Sequence, residues 1–422
     1  MGIYRSTDPT VWDDVDGIII NEVAPPPSVG GVPANIAIMV GQFQRGPVNE
    51  LIEVGSLGEV YENLGNDISY KGQIALQNKR FGALKLLRVA ASDAAKATQE
   101  FASSATDRIS FTAKYLGVYG DLITVKIESG STAGKKYTIH DGNSNAVWPD
   151  EVYDNVEITA VGDTFASSKL VDAAVLSTAA EPSNASATAL ASGSDGTIAD
   201  TDYQAGILAQ EIEAAGNVLF LDDYNATRNG YLKVSMASTT DRMVVLCGAA
   251  GDSVATAVTN VASYRDTDGR IIYAFPYVYT TIAGVKTKVN PCSFYAALLS
   301  QLAPNIDPAW SGNAQYLAGI TSLELTLSRG NYISLLAAGI SALENDSDIG
   351  IKVKSGVVTQ IANRGKIMIH RRRMADYLTY SIAKFLKNYQ DGINSVEKQE
   401  EAVSAVVNFN RNMEDVKLVP KD

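Results

Sequence analysis

At 422 residues the chain is longer than one hydrophobic core usually supports, so two or three domains are expected. Its 47 acidic against 35 basic residues give a formal charge of -12, which argues against a nucleic-acid role built on phosphate neutralisation. No apolar run reaches the ~18 to 20 residues that span a bilayer, and no basic stretch followed by an apolar one marks the chain for secretion.

The first 32 residues carry little periodicity: Asp13-Asp14-Val15-Asp16, then a β-like run Gly17-Ile18-Ile19-Ile20-Asn21-Glu22-Val23, then Ala24-Pro25-Pro26-Pro27-Ser28-Val29-Gly30-Gly31. Prolines favour extended backbone and remove ladder donors, so the run reads as a strand on a semi-rigid tether, its backbone groups open to another subunit's sheet edge. A frayed terminus is the other reading. From Pro33 to about 112 strand and helix signals mix. Between Arg108 and Ile158 short alternating runs such as Leu122-Ile123-Thr124-Val125-Lys126-Ile127 and Lys136-Tyr137-Thr138-Ile139-His140 predict antiparallel strands. Residues 165–200, rich in Ala, Ser and Thr, predict surface loops rather than a deep core.

From Asp202 the rhythm becomes α/β. Near-continuous apolar strands, Asn217-Val218-Leu219-Phe220-Leu221, Arg242-Met243-Val244-Val245-Leu246-Cys247 and Arg270-Ile271-Ile272-Tyr273-Ala274-Phe275-Pro276, alternate with helical segments, as in a sheet covered on both faces. The strongest periodic signal comes late. Met374, Tyr377, Leu378, Ser381, Ile382, Phe385, Leu386 and Tyr389 fall on one stripe, which should pack, and Arg373, Asp376, Tyr380, Lys384 and Lys387 fall opposite, facing outward. Gly392 ends that helix and another runs from about Ser395 to Met413. The fold class that follows is an α/β core, its sheet covered by helices, with an inserted β-rich, sandwich-like domain and a C-terminal helical segment. The expected divisions are 1–32 (arm and Pro/Gly linker), 33–112 and 204–360 (two parts of the core), 113–203 (insert) and 361–422 (helical).

Material for catalysis is sparse. His140 and His370 have no second ligand nearby in sequence. Gly251-Asp252-Ser253 follows a strand and opens a helix, the setting of a hydrolase nucleophile, but the later Asp-x-x-His such an enzyme needs is missing and a helix N-cap is the better account. Gly130-Ser131-Thr132-Ala133-Gly134-Lys135-Lys136 falls one residue short of a phosphate-binding loop and lacks the Ser or Thr after its lysine. Cys247 and Cys292, far apart and in apolar settings, exclude a disulfide framework or zinc site and suggest reduced core thiols. No residue is expected to be catalytic, to ligate a metal or to bind a cofactor. Arg371-Arg372-Arg373 reads either as a solvated charge run or as part of a partner surface.

Two blocks carry a resemblance. Ile36-Ala37-Ile38-Met39-Val40-Gly41 runs into Gln44-Arg45-Gly46-Pro47-Val48-Asn49-Glu50, Val54-Gly55-Ser56-Leu57-Gly58-Glu59-Val60, Leu64-Gly65 and Phe81-Gly82-Ala83-Leu84-Lys85-Leu86-Leu87-Arg88-Val89. Later come a proline-led helix at Pro291, a loop bearing Trp310, Ser328-Arg329-Gly330-Asn331-Tyr332, Gly339-Ile340, Ile349-Gly350-Ile351-Lys352-Val353 and Arg373-Met374-Ala375-Asp376-Tyr377. In this order the segments resemble the tail sheath proteins of contractile bacteriophages. The resemblance implies a non-enzymatic subunit of a helical sheath of stacked rings around a tail tube, contracting to drive the tube through the host envelope. Implied partners are further copies of the chain, the tail tube protein, and baseplate and tail terminator proteins, with no direct nucleic acid and no membrane insertion; implied locations are the virion and, during assembly, the host cytoplasm.

Within that picture Gly17 to Val23 is the candidate inter-subunit arm, and Arg371, Arg372, Arg373, Lys384 and Lys387 are the candidate tube-facing cations. Family members usually continue into a C-terminal arm, and Val416 to Val419 either serves as that arm or the arm is missing. A Ser253-dependent hydrolase and a static tube or surface-layer protein are the alternatives.

Overall fold

The computed structural model describes residues 2–5, 17–20, 29–65, 82–142, 148–212, 218–239, 241–282, 284–310, 316–362, 364–390 and 395–415. Asn21, Glu22, Val23 and the candidate second arm Val416 to Val419 lie outside them. The chain divides into two compact units, Pro33–Asp376 and a smaller one formed by Met1–Val32 with Tyr377–Asp422.

In chain order the strands and helices are β1 (Gly2–Arg5), β2 (Gly17–Ile20), β3 (Ile36–Gln42), β4 (Leu51–Val54), α1 (Leu57–Leu64), β5 (Ala83–Val89), β6 (Thr98–Ser103), β7 (Thr106–Ala113), β8 (Ile123–Ser129), β9 (Lys135–Asp141), β10 (Glu151–Val156) and α2 (Val161–Phe165). They continue with β11 (Val171–Val175), β12 (Ala185–Ala189), α3 (Asp200–Ala209), β13 (Val218–Leu221), α4 (Ala226–Ser238), β14 (Met243–Cys247), α5 (Val254–Val261), β15 (Ile271–Phe275), β16 (Val278–Ile282) and β17 (Val285–Val289). Last come α6 (Cys292–Gln301), β18 (Ile320–Leu323), α7 (Arg329–Ala338), β19 (Ser341–Asp346), β20 (Gly350–Val353), α8 (Ile369–Gln390) and α9 (Val396–Asp415).

The larger unit is organised by an eight-stranded sheet in the order β20-β19-β15-β14-β13-β3-β5-β4, parallel except at its two edge strands. Its central strands are buried on both faces because successive side chains serve different cores. Ala37 and Met39 join one cluster with α6 and with Val60 and Leu64 of α1. Ile38 and Val40 join the other with Tyr203 and Ile207 of α3, Leu232 and Met236 of α4, Ala257 and Val261 of α5, and Leu335 of α7. Helix α6 is buried on every side from Cys292 to Ser300, which explains a composition without an amphipathic stripe. Side-chain caps fix where helices begin: Asn225 Oδ1 accepts from Thr227 N at 2.8 Å, and Ser328 Oγ from Asn331 N at 3.2 Å. Gly339 ends α7 in the left-handed region, φ 81°.

The β-rich part comprises β10-β9-β8-β12 and β11-β7-β6 around one shared core. Phe111, Tyr137 and Phe165 pack with ring centroids 5.0 to 5.8 Å apart. Two sequence expectations change here. Strands β6 and β7 pair in this part, so it begins well before residue 113. The Ala/Ser/Thr-rich stretch is not coreless either, since it contributes β11 and β12 and buries Leu170, Val171 and Leu190. Small side chains suffice because the aromatic residues opposite supply the volume.

In the smaller unit β1 and β2 run parallel, Gly2 opposite Gly17 and Arg5 opposite Ile20. Phe385 of α8 packs with Ala402 and Ala405 of α9, Tyr389 and Val29 joining them. Val32 N donates to Ser381 Oγ at 3.0 Å, which accounts for a hydroxyl on the packed stripe of α8.

Candidate interaction surfaces

The strand order of the large sheet reverses between β3 and β13, the crevice where open α/β sheets usually receive a ligand. Here protein groups fill it. Asp222 Oδ2 accepts from Gln42 N at 3.0 Å, and the buried Tyr203 hydroxyl donates to Asp222 Oδ1 at 2.8 Å. Asn290 Nδ2 donates to Asp222 O at 2.9 Å, while Arg228 lies 3.7 Å from the Tyr203 ring centroid and pairs with Asp200 at 2.7 Å. Burial, with the Asp222 carboxylate second, pushes the Tyr203 phenol far above its ordinary range, so this hydroxyl remains a donor.

The motifs suggestive of chemistry resolve into local structure. Ser253 caps α5, its Oγ accepting from Thr256 N at 3.1 Å, and Asp252 Oδ2 accepts from Ala249 N at 3.0 Å. The histidines lie elsewhere, His140 Nδ1 2.6 Å from Asp150 Oδ1 and His370 Nδ1 3.5 Å from Asp307 Oδ2. Gly130 to Gly134 is a hairpin turn between β8 and β9, with Gly130 N donating to Gly134 O at 3.0 Å. Asn155 Oδ1 accepts from Thr132 N and Ala133 N in that turn, and Lys135 Nζ donates to Asn184 Oδ1. Cys247 and Cys292 are buried free thiols and, although 45 positions apart, are neighbours: burial, and then the Cys247 thiol, raise Cys292 well above the usual thiol range.

The basic stripe divides. Arg371, Lys384 and Lys387 are exposed. Arg373 is a correction to the sequence reading: it is buried, and its Nη2 donates to Leu299 O at 2.8 Å, Leu302 O at 3.0 Å and Ala34 O at 3.0 Å. Two of those acceptors are unsatisfied carbonyls at the end of α6, where a cation also complements the helix dipole. Asp376, also expected to face outward, is buried in an ion pair with Arg270, 2.5 Å at Oδ2 and 3.0 Å at Oδ1, and is bonded to Arg372 one turn earlier. Leu386, expected to pack, is 41% exposed. A wheel divides a helix into inside and outside, but the first turns of α8 are enclosed on more than one side.

The sequence reading also left Arg45 and Arg88 without a role. Arg45 lies between the rings of Tyr119 and Trp148, 4.7 and 4.3 Å from their centroids. It donates to Tyr119 Oη and Asp141 Oδ2, both at 2.8 Å, and to Glu62 O at 2.6 Å. Arg88 donates to Phe43 O at 2.9 Å, Gly46 O at 2.8 Å and Leu116 O at 2.7 Å, and burial pulls its guanidinium down to about 10. Together they clamp the Gln44-Arg45-Gly46-Pro47 loop between the large sheet and the β-rich part. Gly46 is required there: φ is 106°, and a Cβ would meet Asn63 O at 2.7 Å. The signal was two arginines, one inside a motif and one in a strand that is apolar apart from it and Lys85.

Comparison with solved structures identifies the fold. A sheath tail protein from Desulfitobacterium hafniense matches with TM-score 0.66 and 17% identity, covering 95% of this chain and 89% of that one. A sheath tail protein from Listeria innocua matches with TM-score 0.70 and 16% identity over 94% and 88%. The helical sheath of the anti-feeding prophage in its contracted state matches with TM-score 0.54 and 13% identity over 96% and 84%. No protein-family model and no curated protein sequence matches. The chain has the fold of contractile sheath proteins, a mixed α/β architecture with several sheets and helices.

Proposed function

We propose that this chain is the repeating subunit of a contractile sheath, of a phage tail or a related injection machine, that polymerises around an inner tube and shortens to drive it forward. The observation that carries the reading is the fold match across nearly the whole chain, at TM-scores up to 0.70, to proteins described as tail sheaths and helical sheaths. The filled switch-point crevice and the capped Ser253 accord with a mechanical rather than a catalytic task. Electron microscopy of purified full-length protein tests it: hollow tubes or stacked rings are expected, and discrete particles at all concentrations would overturn it.

Three finer assignments belong to the same reading. The segment Gly17 to Val23 lends its strand to a neighbouring copy; the pairing of β2 with β1 occupies one edge and leaves a two-stranded ribbon with outer edges able to extend another sheet. Arg371, Lys384 and Lys387 face an acidic tube surface, while the buried Arg373 and the half-buried Arg372, which is paired with Asp376, drop out of that set. The β-rich part is an insert on the outside of the sheath. The partners are further copies, the tube, and the proteins capping the sheath at baseplate and terminator; the subunit is made in the host cytoplasm and carried in the virion.

A further inference from the structure

Helix α9 carries apolar side chains on two opposite faces. Ala402, Ala405 and Phe409 are buried on the side that meets α8, where Phe409 lies 6.4 Å from Tyr377. The other face holds Val396, Val403 and Val407, which are 66%, 63% and 40% exposed. They recur seven and then four residues apart, so at about 100° per residue they form a ridge within about 40° of arc. Three β-branched residues aligned on a solvent-facing helix stripe are a seam of the kind that packs against another helix. One flank of the ridge carries Glu400 toward its start and Arg411 toward its end, both exposed.

We propose that this ridge docks against the same ridge of a second copy of this chain, with the two α9 helices antiparallel. The charges choose both occupant and direction. A parallel twofold pairing puts the charged flanks on opposite sides of the seam, where neither Glu400 nor Arg411 meets a charge of the other ridge flank. In the antiparallel pairing, centred near residue 405, Glu400 of each copy faces Arg411 of the other while Val403 of each meets Val407 of the other. In this direction twofold symmetry keeps like flanks together, so both ion pairs form at once. A twofold contact is closed and by itself yields a dimer and not a helical polymer, a form in which subunits are held before or apart from assembly. The inference stands on the α9 surface alone and not on the sheath reading.

The test uses full-length protein carrying E400C and R411C together. Within one helix these positions are about 16 Å apart, too far for a disulfide, and the two native cysteines are buried. Under mild oxidation with glutathione disulfide, a single covalent dimer on a non-reducing gel is expected from the double variant and none from either single variant. Adding V403E should remove the dimer without changing the thermal melt, because Val403 is exposed. Absence of cross-linking, a dimer from either single variant, or a ladder of trimers and larger species would overturn the antiparallel pair, the ladder by showing head-to-tail docking instead.

Discussion

Replacing Arg373 by methionine separates a role in the fold from a role at a partner surface. The guanidinium satisfies Leu299 O, Leu302 O and Ala34 O, and methionine fills similar volume while supplying no donor. Hydrogen bonds from a charged donor contribute roughly 1.5 to 3 kcal/mol each, but removing the buried cation also relieves its desolvation cost, and each carbonyl keeps a second lone pair. A net loss of about 3 to 5 kcal/mol follows. For a unit of this size, with unfolding entropy near 2.1 cal/mol/K per residue, that lowers the melting temperature by roughly 4 to 7 °C. Scanning calorimetry of the full-length protein reads it, with exposed Lys384→Met as a control expected within ~1 °C. An R373M melt indistinguishable from wild type, combined with lost binding to tubes, would refute the capping role and restore Arg373 to the outward face.

Deleting residues 1–24 should leave the melt nearly unchanged and abolish tube formation; normal tubes from the truncated chain would rule out the arm. Charge reversal K384E/K387E should weaken co-sedimentation with the inner tube and flatten its salt dependence, since exposed pairs of ~0.2 to 1 kcal/mol are screened and sum over many subunits. Unchanged co-sedimentation would return these lysines to ordinary surface. Burial raises the Asp266 carboxyl above its usual range. Its contribution is therefore fully present below the unfolded value near 4 and is lost as pH rises through the folded value. Wild type should lose stability relative to Asp266→Asn as pH rises above about 4, measured by urea midpoints, and parallel pH profiles would exclude it.

Much of the core was legible because a strand buried on both faces must be apolar throughout: Asn217 to Leu221 and Arg270 to Pro276 read as strands, and Val218–Leu221 and Ile271–Phe275 are strands. Segment order also sufficed to suggest the fold that the solved structures share. What the sequence concealed was long-range pairing. Nothing near Arg373 names its acceptors some 70 positions earlier, and nothing near Thr98 says that its strand pairs with the β-rich part rather than with β5. The α8 stripe misled for the same reason: periodicity reports that a helix has two faces, not that Arg373 and Asp376 have partners waiting on the polar one. The two thiols likewise became neighbours only through the packing of α6 against β14.

The arginine clamps have a consequence for the range of surroundings in which the subunit keeps its shape. The hydrogen bonds of Arg88 and of Arg373 Nη2 go to peptide carbonyls, which do not titrate, and each guanidinium stays protonated up to about pH 9 even with its affinity for protons drawn down to about 10. A joint made with carboxylates would loosen in acid; one made with carbonyls does not. Salt reaches a buried joint poorly as well. Two joints of the larger unit are thus indifferent to acidity and ionic strength, leaving the carboxylate pairs Arg45–Asp141 and Arg270–Asp376, the buried Asp266 and the exposed charges as the parts that respond to a change of medium.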